Sequence, residues 1–382
     1  MTGLAAKLGL YVHWPYCAKI CPYCDFNVRR DRADDTGFLV DAMAVELGHW
    51  RAKIDTPRPL TSISFGGGTP SRLTPAQLQQ ILAAAQQAFG FAPDIEISLE
   101  ANPTDVEASK YREFAALGVN RLSLGLQSLD DQQLQFLGRD HDADEGLRAL
   151  DIARQNFAMV SADFIYALPQ QNREQWQRAL SAILGLGLAH LSLYCLSIEP
   201  GTAFANQVRR DQWSPADNDQ TADLYELTQN LCGQNGLPAY EISNHSRDIG
   251  NRSQHNILYW QGDDWIGIGP GAHARVPING HRQALATHTR PQQYAEAVTK
   301  TGWGIQQMEA LRPQDDLAER LMLGLRLTDG IDLELLQARA KTRLDPTRLQ
   351  QACADQYLQQ NGKTLRALVP LLVDRIAAEL LE

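Results

Sequence analysis

The chain has 382 residues, 44% of them hydrophobic and 21% charged, with 35 basic against 45 acidic residues and a formal net charge of −10. That length predicts one large domain plus a smaller one, and the ordinary globular composition excludes a disordered class. The acidic balance argues against broad nucleic-acid binding, which rests on a basic footprint.

Six short apolar runs read as strands along the first half: Leu8–His13, Ser62–Phe65, Ile95–Leu99, Arg121–Leu126, Ser161–Tyr166 and Leu191–Ile198. Helical patterns fill the gaps. Phe38–Trp50 repeats apolar residues at i, i+3 and i+4, and Pro75–Phe89 starts with Thr74 as N-cap and Pro75 at the first helical position. Val106–Leu117 stops at Gly118, and Asp144–Gln155 and Glu174–Leu186 follow. The longest uncharged stretch, Ala179–Ile198, contains three serines and His190. It reads as a helix end, a glycine break and a buried strand rather than a membrane span. Strands alternating with helices predict an α/β fold with parallel strands and right-handed crossovers. A partial barrel fits better than a doubly wound sheet, because a polar signature follows every strand, as at one shared rim.

The first signature is Cys17, Cys21 and Cys24, in C-x3-C-x2-C spacing. Three thiolates on one short loop suit three irons of a [4Fe–4S] cluster, leaving one iron open to a small ligand such as S-adenosylmethionine (SAM). A zinc site usually adds a second ligand pair, and the chain has no second C-x2-C or H-x3-H pair. Disulfides are disfavoured by the lack of a signal peptide and by only six cysteines, and the same features point to the cytoplasm. Cys195, Cys232 and Cys353 are isolated, as small buried hydrophobes are.

Later strands lead into Gly66-Gly67-Gly68-Thr69-Pro70-Ser71, Glu100-Ala-Asn-Pro103, Gln127-Ser128 with Arg139 beyond, Asp163 to Leu168-Pro169, and Tyr194-Cys195 with Glu199-Pro-Gly-Thr202. A glycine triplet alone is often only a turn. Between a strand and a capped helix, its bare N–H groups can approach a carboxylate or amine-bearing ligand. Glu100, Gln127 and Arg139 are either solvated loop residues or ligand contacts, and their shared position at strand ends favours contacts.

Taken together, these motifs resemble the radical SAM superfamily and, more narrowly, the oxygen-independent coproporphyrinogen III dehydrogenase family with its HemW-type heme chaperone branch. The resemblance implies a partial (β/α)6 barrel with parallel strands, followed by a small mostly helical C-terminal domain. It implies that Cys17, Cys21 and Cys24 ligate the cluster and that Tyr11 and Tyr23 line the cluster and SAM pocket. Gly67, Gly68 and Thr69 would contact the methionine amino group, and Glu100, Gln127, Arg139 and Asp163 the polar parts of SAM. Cys195 would sit against the nucleoside.

Two features place the chain in the chaperone branch. The dehydrogenases carry a fourth cysteine two residues on, where this chain has Phe26, and a longer N-terminal arm for which it has no room. His255-Asn256-Ile-Leu-Tyr259-Trp260 matches the H-N-x-x-Y-W pattern of the HemW-type branch. An imidazole is a common axial ligand of heme iron, and Tyr259 and Trp260 suit a porphyrin edge, so His255, Asn256, Tyr259 and Trp260 are the candidate heme residues. His245 and His273 are alternatives to His255. A structural His-Asn turn with two core aromatics is the plain alternative.

The expected organisation is a barrel core over 1–235, an irregular, ligand-facing segment over 236–310 and a helical domain over 311–382. In the last, Asp315–Arg326, Leu333–Arg339, Leu349–Gln360 and Leu371–Leu381 read as helices. Leu325-Arg-Leu-Thr-Asp-Gly-Ile331 resembles the family's C-terminal domain, whereas Thr364–Pro370 departs from it. The implied function is binding of heme, a [4Fe–4S] cluster and SAM, with delivery of heme to an acceptor hemoprotein such as a membrane-associated respiratory protein. An electron donor is the other implied partner, and the chain would act as a monomer or homodimer. Oxidative decarboxylation of coproporphyrinogen III is the alternative, and Phe26 counts against it. Nothing suggests the second substrate site of a radical SAM methyltransferase.

Overall fold

All six expected strands are present in the computed structural model of the chain, which describes residues 6–31, 36–105 and 108–381. They are β1 (Leu8–Trp14), β2 (Leu60–Gly67), β3 (Phe91–Ala101), β4 (Arg121–Gln127), β5 (Met159–Tyr166) and β6 (His190–Cys195). They lie side by side in chain order and all run parallel. The connecting helices are α1 (Gly37–Lys53), α2 (Pro75–Phe89), α3 (Ala108–Ala116), α4 (Asp131–Phe136), α5 (Ala143–Asn156) and α6 (Arg173–Gly185). Val106, where the sequence pattern starts α3, lies outside the described residues. Thr74 closes a capping box with Gln77 at the start of α2. After β6 come α7 (Ala203–Arg209) and α8 (Asn218–Gln234).

A parallel sheet covered on both faces normally has continuous apolar strands. Here the strands alternate. Leu8, Leu10, Val12, Ile63, Phe65, Ile97, Leu99, Leu122, Leu124, Phe164, Leu191 and Leu193 join the main core. The alternate positions are polar: Glu96, Glu100, Arg121, Ser123, Ser161, Asp163, His190 and Ser192. Ser123 Oγ lies 2.8 Å from Ser161 Oγ and donates to Asp163 at 2.9 Å, so these positions meet across strands. A curved sheet with an apolar outside and a polar inside encloses a space suited to a polar ligand.

Segment 236–310 is not irregular. It holds β7 (Asn244–Ser246), α9 (Gln254–Trp260), β8 (Asp264–Ile268), β9 (His273–Ile278), β10 (His281–Thr287), α10 (Pro291–Thr301) and β11 (Ile305–Ala310). Strand β8 pairs parallel with β1, and β9, β10 and β11 continue antiparallel, while β7 closes the other edge against β6. The result is an open eleven-stranded sheet. The glycines that suggested loops occupy the turns, as at Gly269 and Gly271 with φ of 92° and 87°, and the runs between them are strands.

Within the C-terminal part, α11 (Pro313–Gly324), α12 (Leu333–Ala340), α13 (Pro346–Ala354) and α14 (Val373–Leu381) surround a second core around Leu321, Leu336 and Leu365. A three-stranded sheet of Ile331–Asp332, Leu358–Asn361 and Thr364–Ala367 accompanies them. The helix expected to run to Gln360 therefore stops at Ala354. Gly362, at φ 59°, and Lys363 turn the chain into a hairpin instead. Ion pairs tie this domain to the sheet extension, Arg282 to Asp316 at 2.7 Å and Arg339 to Asp263 at 2.9 Å, and Arg320, paired with Asp316 within α11 at 2.9 Å, also donates to Gly262 O. No helix among the described residues is long and apolar enough to cross a membrane.

Candidate functional site at the barrel mouth

A cavity of about 390 Å³ opens at the C-terminal ends of the strands. Cys17, Cys21 and Cys24 line it together with Tyr23, Gly67, Gly68, Thr69, Glu100, Gln127, Arg139, Asp163 and Cys195. Six loops, separated by up to about half the chain, thus converge on one space. Tyr11 lies below the lining, its hydroxyl donating to His13 Nδ1 at 3.2 Å.

The cysteine loop is held by its own backbone and by later loops. Tyr16 and Cys17 pair with Arg29 and Arg30, and the Cys24 N–H donates to Cys21 O at 3.2 Å. The Phe204 N–H donates to Pro22 O at 2.9 Å. Gly138 has no Cβ because one would lie 2.6 Å from Pro22 Cδ. Its neighbour Arg139 then reaches Cys21 Sγ at 3.4 Å, Tyr23 Oη at 3.5 Å and Gly125 O at 3.0 Å, and also Asn102 Oδ1. Burial pushes the Cys17 thiol up, and pushes Cys24 up to about 11, so ligand binding must displace protons.

All six cysteines are free thiols. Among the described residues no three His, Cys, Asp or Glu side chains converge on one point that could hold a single ion. Three separated thiols facing one cavity suit a cluster in which each thiolate takes its own iron. The donor set therefore fits a [4Fe–4S] group on Cys17, Cys21 and Cys24, as the spacing indicates.

The glycine loop faces the cavity at Gly67, Gly68 and Thr69. Its N–H groups are spent on the protein: Gly68 donates to Trp14 O at 2.6 Å and Thr69 to Tyr16 O at 2.9 Å, while Gly67 N–H faces the Glu100 carboxylate. A Cβ on Gly68 would lie 2.7 Å from both Trp14 O and Tyr16 O, so the triplet lets this loop pack on the cysteine loop. Deep placement in the barrel, with Asp163 nearby, pushes the Glu100 carboxyl up to about 7, although its oxygens face the cavity. Asp163 is also raised, chiefly by burial, against hydrogen bonds from Ser192 and Ser123. Gln127 adopts φ 66°, a conformation rare outside glycine. Cys195 presents a half-buried thiol to the wall.

The H-N-x-x-Y-W residues are elsewhere. They form α9, whose side chains plug the opposite end of the barrel. His255 is 2% exposed, and both ring nitrogens are engaged, Nδ1 with Ser62 Oγ at 2.8 Å and Nε2 with Tyr259 Oη at 2.8 Å. Burial lowers its pKa to about 3, so the ring is neutral. The backbone N–H of His255 donates to Glu96 Oε1 at 3.1 Å, and Glu96 pairs with Arg121 at 3.4 Å. The Asn256 N–H is taken by the Ser253 cap, and Trp260 packs on the C-terminal core. None of His255, Asn256, Tyr259 and Trp260 lines the cavity. His255 therefore stands in the floor of the barrel, with both ring nitrogens hydrogen-bonded within the protein. His245 is equally buried, whereas His273 is exposed.

Sequence reasoning missed Ser123, Asp140 and Ile20 as wall residues. Serines recur between apolar residues in Ile97-Ser-Leu99, Leu122-Ser-Leu124 and Leu191-Ser-Leu193, and that alternation is the signal that could have found Ser123.

Two family models match the chain: the radical SAM superfamily over residues 11–183 and the HemN C-terminal domain over residues 311–367. The mitochondrial radical S-adenosyl methionine domain-containing protein 1 of Bos taurus is 39% identical over 330 residues, covering 85% of this chain and 74% of that protein. The heme chaperone HemW of Bacillus subtilis is 30% identical, covering 88% of this chain and 87% of that one. The HemW of Mycobacterium tuberculosis is 34% identical, covering 96% and 93%. Coproporphyrinogen III oxidase (HemN) from Escherichia coli, described as a radical SAM enzyme, shares the fold with a TM-score of 0.81 at 23% identity, over 99% of this chain and 90% of that one. With this barrel, this cysteine loop and relatives this similar over most of their length, the chain belongs to the HemN/HemW family of the radical SAM superfamily.

Proposed function

We propose that this chain is a heme chaperone that carries a [4Fe–4S] cluster on Cys17, Cys21 and Cys24, binds SAM in the adjoining cavity and passes heme to an acceptor hemoprotein. The observation that carries the reading is the convergence of the three cysteines with Glu100, Arg139 and Asp163 on one cavity. The cluster, when bound, supplies one electron to a sulfonium ligand. Glu100 and Asp163 offer carboxylates for an amine or for ribose hydroxyls, Arg139 holds the Cys21 side of the loop, and Tyr23 and Cys195 wall the space. Phe26 stands where the dehydrogenase branch has a fourth cysteine, and it is 60% exposed at the cavity rim. That apolar rim, and relatives named heme chaperones, favour heme transfer over decarboxylation. Six free cysteines suit the reducing cytoplasm. We assign the axial imidazole to His273, the exposed member of the three histidines considered.

The test pairs two substrates on anaerobically reconstituted protein. Heme titration should give a shifted Soret band, and coproporphyrinogen III should remain unchanged. Decarboxylated product would reject the chaperone reading. His273→Ala should alter the heme spectrum, and an unaltered spectrum would reject that ligand.

A further inference from the structure

We propose that Asn27 is a positioning residue that locks the cysteine loop to the second half of the chain and so sets how firmly the metal centre is held. This rests on the reading of Cys17, Cys21 and Cys24 as cluster ligands. Asn27 follows Cys24 by three residues. Its amide donates to Pro270 O at 2.8 Å and to Thr289 O at 2.8 Å. Both acceptors lie in turns flanking the antiparallel extension β9–β10, far away in sequence. The carbonyl of Asn27 accepts from His13 Nε2 at 3.0 Å. That bond fixes the His13 tautomer, so Nδ1 accepts from the Tyr11 hydroxyl at 3.2 Å.

His13 is itself wedged in place. A Cβ on Gly67 would lie 2.5 Å from His13 Cε1, and Gly269 packs on the His13 carbonyl. A Cβ on Gly271 would lie 2.5 Å from Asn27 Nδ2. One residue therefore bridges the cysteine loop, the end of β1 and two turns of the extension. The other backbone ties of the loop's returning arm are local, Arg29 N–H to Pro15 O at 2.7 Å and Asp31 N–H to Cys17 O at 2.8 Å. They close the loop on itself without anchoring it to the extension. Only a planar amide at this reach can donate to two carbonyls at once. Aspartate cannot donate, and glutamine is one methylene too long. The same bond pair gives events at the extension, where His273 lies, a mechanical route to the cysteine loop.

The test is iron release from the anaerobically reconstituted full-length protein into excess ferrous chelator. Asn27→Ala should release iron roughly tenfold to a hundredfold faster than the parent, the usual range for lost outer-sphere support. Its SAM-induced change in the EPR spectrum of the reduced cluster should be weakened, and the Tm of the apo-protein should stay within about 3 °C. Gly271→Ala, which pushes on the same amide with a strained φ of 87°, should accelerate release in the same direction and decides the matter if Asn27→Ala fails to fold. Release at the parental rate from the folded variant would overturn the proposal and leave the cysteine assignment standing. A parent that takes up no iron would overturn both.

Discussion

At the floor of the barrel Glu96, Arg121, Ser253 and His255 consume one another's hydrogen bonds, whereas at the mouth Glu100, Asp163 and Arg139 face a cavity of about 390 Å³. Both ends are cut from the same strands and both are polar. At the floor, Arg121, Asn251, Ser253 and His255 on α9 occupy the polar groups of the strands, and the paired groups rigidify the barrel. At the mouth, some polar groups keep their capacity for a ligand, and the fold carries the cost of holding carboxyls in a confined space. Polarity inside a barrel is thus no sign of a site by itself; unspent hydrogen-bonding capacity facing a cavity is.

Substitutions should separate the two ends. The largest effect belongs to the mouth. Cys17→Ala, Cys21→Ala or Cys24→Ala should each remove nearly all iron and sulfide after anaerobic reconstitution, with apo-protein stability unchanged; full retention of iron would break the comparison at once. Next comes Arg121→Ala at the floor. It leaves Glu96 buried without its cation and should cost about 3–5 kcal/mol in urea unfolding of the apo-protein, with iron uptake unaffected. A milder loss, ~1–3 kcal/mol, is expected for His255→Ala, which orphans Ser62 and Tyr259. The Soret band of bound heme should not move in that variant; a changed band would return His255 to the ligand role.

The smallest effect is a pH dependence at Glu100. Its native carboxyl titrates at about 7, above the ordinary 4.5, so the folded state holds this proton longer than the unfolded chain does. Stability from this group is unchanged below about pH 4.5 and falls as pH rises through about 7. Glu100→Gln should flatten that fall by ~1 kcal/mol, a discounted figure because cavity water screens the charge. SAM affinity should drop in the same variant, measured by equilibrium binding. A variant less stable above pH 7 would place Glu100 with the floor residues instead.

The α-helical and strand boundaries of the first half were legible because local signals agree: Thr74-Pro75 starts a helix by capping, and outward Leu, Ile and Phe repeat at period two. The second half was harder. Gly-, Asn- and His-rich runs from 240 to 275 look irregular, yet β8 finds its place only by adding to the free edge of β1. His255-Asn256 also allows a plain turn reading until Glu96 and Ser62 are seen to receive α9. At the site, the residues at strand ends were visible as a set, while Ser123 needed the pairing of β3, β4 and β5 to appear beside them.

By itself the sequence determined that three thiols share one loop, because the chain between Cys17 and Cys24 is too short to do otherwise. It likewise determined which strand faces are apolar, since alternation is a local property. Only the tertiary structure decided that Arg139, 118 residues on, rests against Cys21, that Asn27 reaches Pro270 and Thr289, and that His255 faces Ser62. Those contacts depend on strand order and register across the whole sheet, and no local preference encodes them.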